Sequence, residues 1–162
     1  MNIVEEIKNY IEGDKRDTGR ERLLLKELKK LSQGERYKAL KPYLNKSRLA
    51  LLFAQKSSLE PKAYYDIWSD GLVHSNASSI QWWVVTVASN LGWKKTLSLF
   101  EKQIEAGNEK IGEAIYHVPF IFGDLAPNPK AKEQFVQLVL TAENMGLLGY
   151  SPDSIWGAGW RA

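Results

Sequence analysis

Asp66, Asp70 and His74 stand at four-residue steps, the spacing that brings side chains onto one face of a helix. Two carboxylates and an imidazole are the donor types of a metal site or of an acid–base pair. Gly71 falls between the last two, and Asp70-Gly71 reads as a helix exit that leaves His74 in the following loop. Glu113 and His117 repeat the four-residue step. A metal or a general base there would need further ligands from another element. The chain has two histidines and no cysteine, so beyond Asp66, Asp70 and His74 no other His–carboxylate cluster exists to supply them. The plainer reading of His117 is an imidazole hydrogen bonded to its helical neighbour. No metal and no cofactor are expected.

Other catalytic signatures are missing. No serine lies in a Gly-x-Ser-x-Gly turn, and neither Gly-x-Gly-x-x-Gly nor Gly-x-x-x-x-Gly-Lys-Ser/Thr occurs. The absence of cysteine removes thiol nucleophiles, disulfide frameworks and thiolate zinc sites. The first residues, Met-Asn-Ile-Val-Glu-Glu-Ile-Lys, put acid where a signal peptide carries base. No run approaches the ~18 consecutive apolar residues of a membrane span. The expectation is a cytoplasmic protein without a membrane segment, and a binding role rather than a catalytic one.

Net charge is +3 and unevenly spread. Residues 1–50 carry 13 Lys and Arg against 8 Asp and Glu, whereas residues 111–162 carry 3 against 5. Lys15, Arg16, Arg20, Arg22, Lys26, Lys29 and Lys30 gather in one basic segment. Within it Arg22, Lys26, Lys29 and Lys30 fall at i, i+4, i+7 and i+8, a stripe able to track phosphates. No aromatic interleaves the stripe for base stacking. A solvated outer helix face accounts for the same residues without a ligand.

The elements that must position these groups read as short helices. Ile3, Val4, Ile7, Tyr10 and Ile11 predict an amphipathic helix ending near Gly13. Leu23, Leu24, Leu28 and Leu31 predict a second with those leucines inward, closing near Gln33-Gly34. Tyr37, Leu40 and Leu44 mark a third, disturbed by Pro42. Leu49–Gln55 is short and apolar, and Pro61 opens a helix that carries Tyr64, Ile67 and Trp68 and stops near Asp70-Gly71. Residues 79–91 hold no charge and two adjacent tryptophans, so this helix must be covered by its neighbours; Ser78 or Ser79 would cap it. Trp93 to Ile104 and Ile111 to Val118 follow, the latter broken by Pro119. Asn128 caps a last helix with Phe135, Val136, Leu138, Val139 and Ala142 inward. The stretch 146–162 is rich in glycine yet keeps Trp156 and Trp160, which predicts a tail packed on the domain or on a partner.

The expectation is therefore one all-α domain over residues 1–162. It would be either an irregular HEAT-like stack of short helical hairpins or a compact orthogonal bundle around the 79–91 helix. Pro61, Trp93 and Pro129 are 32 and 36 residues apart, near the period of two-helix repeats.

In size, in short irregular helices such as 80–91 and 135–144, and in its acids and aromatics, the chain resembles the helical immunity proteins of bacterial contact-dependent toxin systems. It departs from those that face basic nucleases in being mildly basic. The resemblance implies a non-catalytic protein that binds a cognate toxin and blocks it. Its interface would combine the acids Asp66, Asp70, Glu109, Glu113 and Asp124 with His74 and the anchors Tyr65 and Trp156. The alternative is a nucleic-acid-binding helical-repeat protein using Arg16, Arg20, Lys26 and Lys30.

Overall fold

Local caps and helical periodicity account for most of the element boundaries. The computed structural model describes residues 2–13, 15–121 and 128–155. Among these every long element is a helix and there is no strand. None of the helices is long and apolar enough to cross a membrane. The chain divides into two compact units, residues 1–74 and 75–162.

In the N-terminal unit, α1 (Ile3–Glu12) is capped by the Asn2 side chain and buries Ile7, Tyr10 and Ile11. Asp17 caps α2 (Thr18–Leu28), whose Leu24 and Leu28 face inward against α1. Leu23 was expected inward as well. It is 48% exposed, because each residue turns about 100° from the last and the buried stripe here is Leu24–Leu28. Helix α2 also ends earlier than expected. Ser32 and Glu35 form a reciprocal capping box that starts α3 (Gln33–Leu40) at the very residues read as a helix end. Pro42 turns the chain into a short 3-10 segment, Lys41–Tyr43. Ser47 caps α4 (Arg48–Lys56), which packs on α3 and buries Ala50, Leu51, Phe53 and Ala54. Finally α5 (Pro61–His74) is pinned by Tyr64, whose hydroxyl donates to the Ala54 carbonyl at 2.8 Å and accepts from the Leu59 N–H at 3.0 Å. One side chain ties the end of α2 to the α4–α5 turn. The Arg36 guanidinium donates to the carbonyls of Lys29, Leu31, Ser57 and Ser58 over 2.6–3.0 Å.

In the C-terminal unit, α6 (Ile80–Leu91) exposes Ser89 alone of its twelve residues, as an uncharged helix requires. The run Trp82–Val87, the most strand-like in composition, is helical. Ser79 is the N-cap, as expected, but its hydroxyl accepts from the Asn76 N–H at 3.0 Å rather than from the helix, and the Asn76 carboxamide accepts from the N–H groups of Ser78 and Ser79, both at 2.9 Å. Gly92, at φ 82°, makes the sharp turn into α7 (Trp93–Glu105). Then come α8 (Ile111–Ile121) and α9 (Pro129–Asn144), the latter capped by Asn128. Pro119 does not break α8. The helix runs on to Ile121 although the ring removes a ladder bond and crowds the Ile115 carbonyl, a cost of about 3 kcal/mol in a helix interior, and Val118 and Pro119 are both buried. Val136 in α9 is half-buried rather than inward. Helix α6 packs on α7 and α8, and α7 packs on α8 and α9. The segment after α9 folds back: Leu147, Leu148 and Ile155 are buried, and the Tyr150 hydroxyl donates to the Gly112 carbonyl.

Candidate functional site

Helix α5 buries Ala63, Tyr64, Ile67, Trp68, Gly71 and Leu72, two adjacent four-residue rows. The helix is thereby obliged to turn its other two rows outward: Tyr65, Ser69 and Val73, beside Asp66, Asp70 and His74. Tyr65 is 38% and Val73 68% exposed, and Asp66 and His74 are exposed with Asp70 half-buried. Gly71 does not end the helix, and His74 is its last residue rather than part of a loop. A glycine inside a helix costs about 1 kcal/mol, less than the burial of Leu72 beside it returns. Two turns separate Asp66 from His74, about 12 Å along the axis, so the three side chains cannot share one ion. Accordingly, no group of three His, Asp or Glu able to hold a metal forms among the described residues. The two carboxylates do act together on their surroundings. Burial raises the Tyr37 phenol above its ordinary pKa, and the negative charges of Asp66 and Asp70 raise it further.

The remaining acids expected at this surface lie elsewhere. Glu109 is exposed in the turn before α8, and Glu113 is half-buried on α8, with Oε2 shielded from solvent and without a hydrogen-bond partner. Both belong to the C-terminal unit. Asp124 and Trp156 lie outside the described residues. Lys110, in the turn just before α8, and His117, on α8, bind the loop before α6. Lys110 Nζ donates to the Ser75 carbonyl at 2.8 Å, and His117 Nε2 meets the Ala77 carbonyl at 3.0 Å. A carbonyl oxygen only accepts, so His117 carries a proton on Nε2. Its partner is this loop and not its helical neighbour.

The basic residues divide. Arg16 and Arg20 come together over Tyr10: the Tyr10 hydroxyl donates to Glu21 at 2.8 Å and accepts from the Asp17 N–H at 2.9 Å. Glu21 in turn holds Arg16 through two hydrogen bonds of 2.9 and 3.0 Å. These bonds from Arg16, with that from Tyr10, keep the Glu21 carboxyl below its usual range against the opposing effect of burial. Arg20 lies 5.5 Å from the Tyr10 ring centre and 3.3 Å from Glu6. Lys26 and Lys30 do not join them. Helix α2 stops at Leu28, which breaks the expected stripe, and Lys30 pairs with Glu27 at 2.8 Å. Sequence reasoning missed Lys46, Arg48 and Lys56, which line clefts shared with Arg16. The one local signal was Ser47, a cap following Lys46.

The α5 face combines exposed apolar and acidic side chains, and the region around Arg16 holds basic clefts. No protein-family model, curated protein or solved structure matches this chain.

Proposed function

We propose that the chain is a non-catalytic, cytoplasmic protein-binding module of the immunity type, which blocks a cognate toxin through the outward face of α5. The observation that carries this reading is the exposure of Tyr65 and Val73 beside an exposed Asp66 and a half-buried Asp70 on one continuous helix. Exposed aromatics anchor interfaces, and truncating such an anchor costs about 2 kcal/mol or more of binding. The carboxylates select a basic surface and speed its approach more than they deepen affinity. Occlusion of that surface by a rigid helix needs no chemistry from this chain. In the C-terminal unit, α6 packs on α8 and α7 on α9. This alternation supports a HEAT-like stack of hairpins as the scaffold.

The test is capture by the tagged full chain from extracts of the cells that make it, in parallel with Asp66→Lys/Asp70→Lys. A basic protein held in stoichiometric amount by the parent and lost from the double variant is the expected result. Tyr65→Ala should weaken the same complex at least tenfold. Equal retention by all three baits would overturn the assignment to α5, and the absence of any stoichiometric protein would overturn the function.

A further inference from the structure

Three clefts of about 350, 190 and 380 Å³ open on the N-terminal unit, and Arg16 lines all three. Lys15 and Arg20 complete the basic lining of the first, Arg22 and Lys56 that of the second, and Lys46 and Arg48 that of the third. Among the described residues three carboxylates stand against these seven cations: Glu6, which pairs with Arg20 at 3.3 Å, and Asp17 and Glu21 in the lining, both engaged. Asp17 caps α2 through the Arg20 N–H, and Glu21 holds Arg16 and Tyr10. The cations come from the α1–α2 turn, from α2 and from both ends of α4, segments up to 41 residues apart in sequence. Tertiary packing has therefore collected them into one continuous basic track. Two aromatics enter its lining, Tyr10 and Phe53. Each is 3% exposed, and they meet edge to face at 6.0 Å, so neither ring is open for a base to stack on.

We propose that this track binds the phosphate backbone of a duplex nucleic acid, without reading its bases. This surface is separate from the α5 face, and neither assignment depends on the other. The charge supplies a sequence-independent attraction whose signature is counterion release. The lack of an open aromatic platform favours a duplex, whose bases are already stacked, over a single strand. The Glu21 clamp holds the Arg16 guanidinium where the three clefts meet, so less of its freedom is lost on contact with a phosphate.

The experiment is fluorescence anisotropy of the full chain with a labelled duplex DNA of about 20 base pairs, between about 50 and 200 mM NaCl. Seven cations less three carboxylates leave four net charges, which gives a log–log salt slope of about −3 to −4 and a loss of roughly 150-fold over that range. Arg22→Gln/Lys46→Gln should flatten the slope by about two. Lys94→Gln/Lys95→Gln, an equal change of charge on exposed positions of α7, should leave it unaltered. A single strand of the same length should bind more weakly, and polyglutamate at matched charge should compete only in part. No binding at the lowest salt, equal effects of the two double variants, tighter binding of the single strand or full competition by polyglutamate would each overturn the proposal.

Discussion

Gly112 in α8 gives a sharp test of how the segment after α9 is held. A Cβ placed there would lie 2.8 Å from the Leu148 carbonyl oxygen, 3.0 Å from the Leu148 Cα and closer still to the Leu147 carbonyl oxygen. All three are backbone atoms, so no side-chain rotation relieves the clash. Gly112→Ala would gain about 1 kcal/mol of helix propensity. Against this, overpacking a tight site costs about 1–3 kcal/mol. The forced retreat of residues 147–148 would also strip the Tyr150 bond to Gly112, about 1 kcal/mol, and part of the burial of Leu147 and Leu148, ~1.5–3 kcal/mol each when complete. The net expectation is a destabilisation of about 2–4 kcal/mol, or roughly 5–15 °C in Tm at this chain length. Gly34 is the matched control: nothing lies within 4 Å of the Cβ it would gain, so Gly34→Ala should be neutral or stabilising by up to about 1 kcal/mol. Thermal and urea unfolding followed by far-ultraviolet circular dichroism reads both. A Gly112→Ala chain as stable as its parent, or two variants shifted equally downward, would refute the packing argument.

Two further outcomes follow from single side chains. Arg36→Lys keeps the charge but loses the planar fork that reaches four carbonyls, and should cost about 2–4 kcal/mol by urea titration; a loss under ~0.5 kcal/mol would show those bonds to be replaced by water. Burial, with a smaller contribution from Tyr116, raises the Tyr150 pKa well above its ordinary value, so its neutral form is the folded one. The stability it confers is complete below about pH 10 and is lost as pH rises toward the folded-state value. Tyr150→Phe should therefore flatten the fall in stability above about pH 10, and an unchanged slope would contradict the burial of that hydroxyl.

How far the sequence could be read depended on the range over which each feature is decided. Asn128 followed by Pro129, and the uncharged run 79–91, are local statements of cap and burial, and the structure carries both. Local signals failed where two competed. Gln33-Gly34 looked like a stop, while Ser32 and Glu35 encoded a start, and the capping box won. Gly71 and Pro119 were weighed as breakers by intrinsic propensity alone. The glycine costs about 1 kcal/mol and the proline about 3, and burial of Leu72 in the one case and of Val118 with the Pro119 ring in the other offsets that. The correction at Gly71 matters for function, since it extends α5 and places His74 on the same face as Asp66. The Arg36 staple and the addition of Lys46, Arg48 and Lys56 to Arg16 were illegible for a different reason. They arise only when α4 packs into its unit, and no periodicity within a segment records that.

Under the proposed function, α5 blocks a partner by covering it. The most direct measurement is titration of the captured partner's own activity with the parent chain and with Asp66→Lys/Asp70→Lys. Complete inhibition by the parent at one-to-one stoichiometry, with inhibition lost in the double variant, is the predicted result. A partner that stays fully active in the stoichiometric complex, or that both chains inhibit alike, would contradict it.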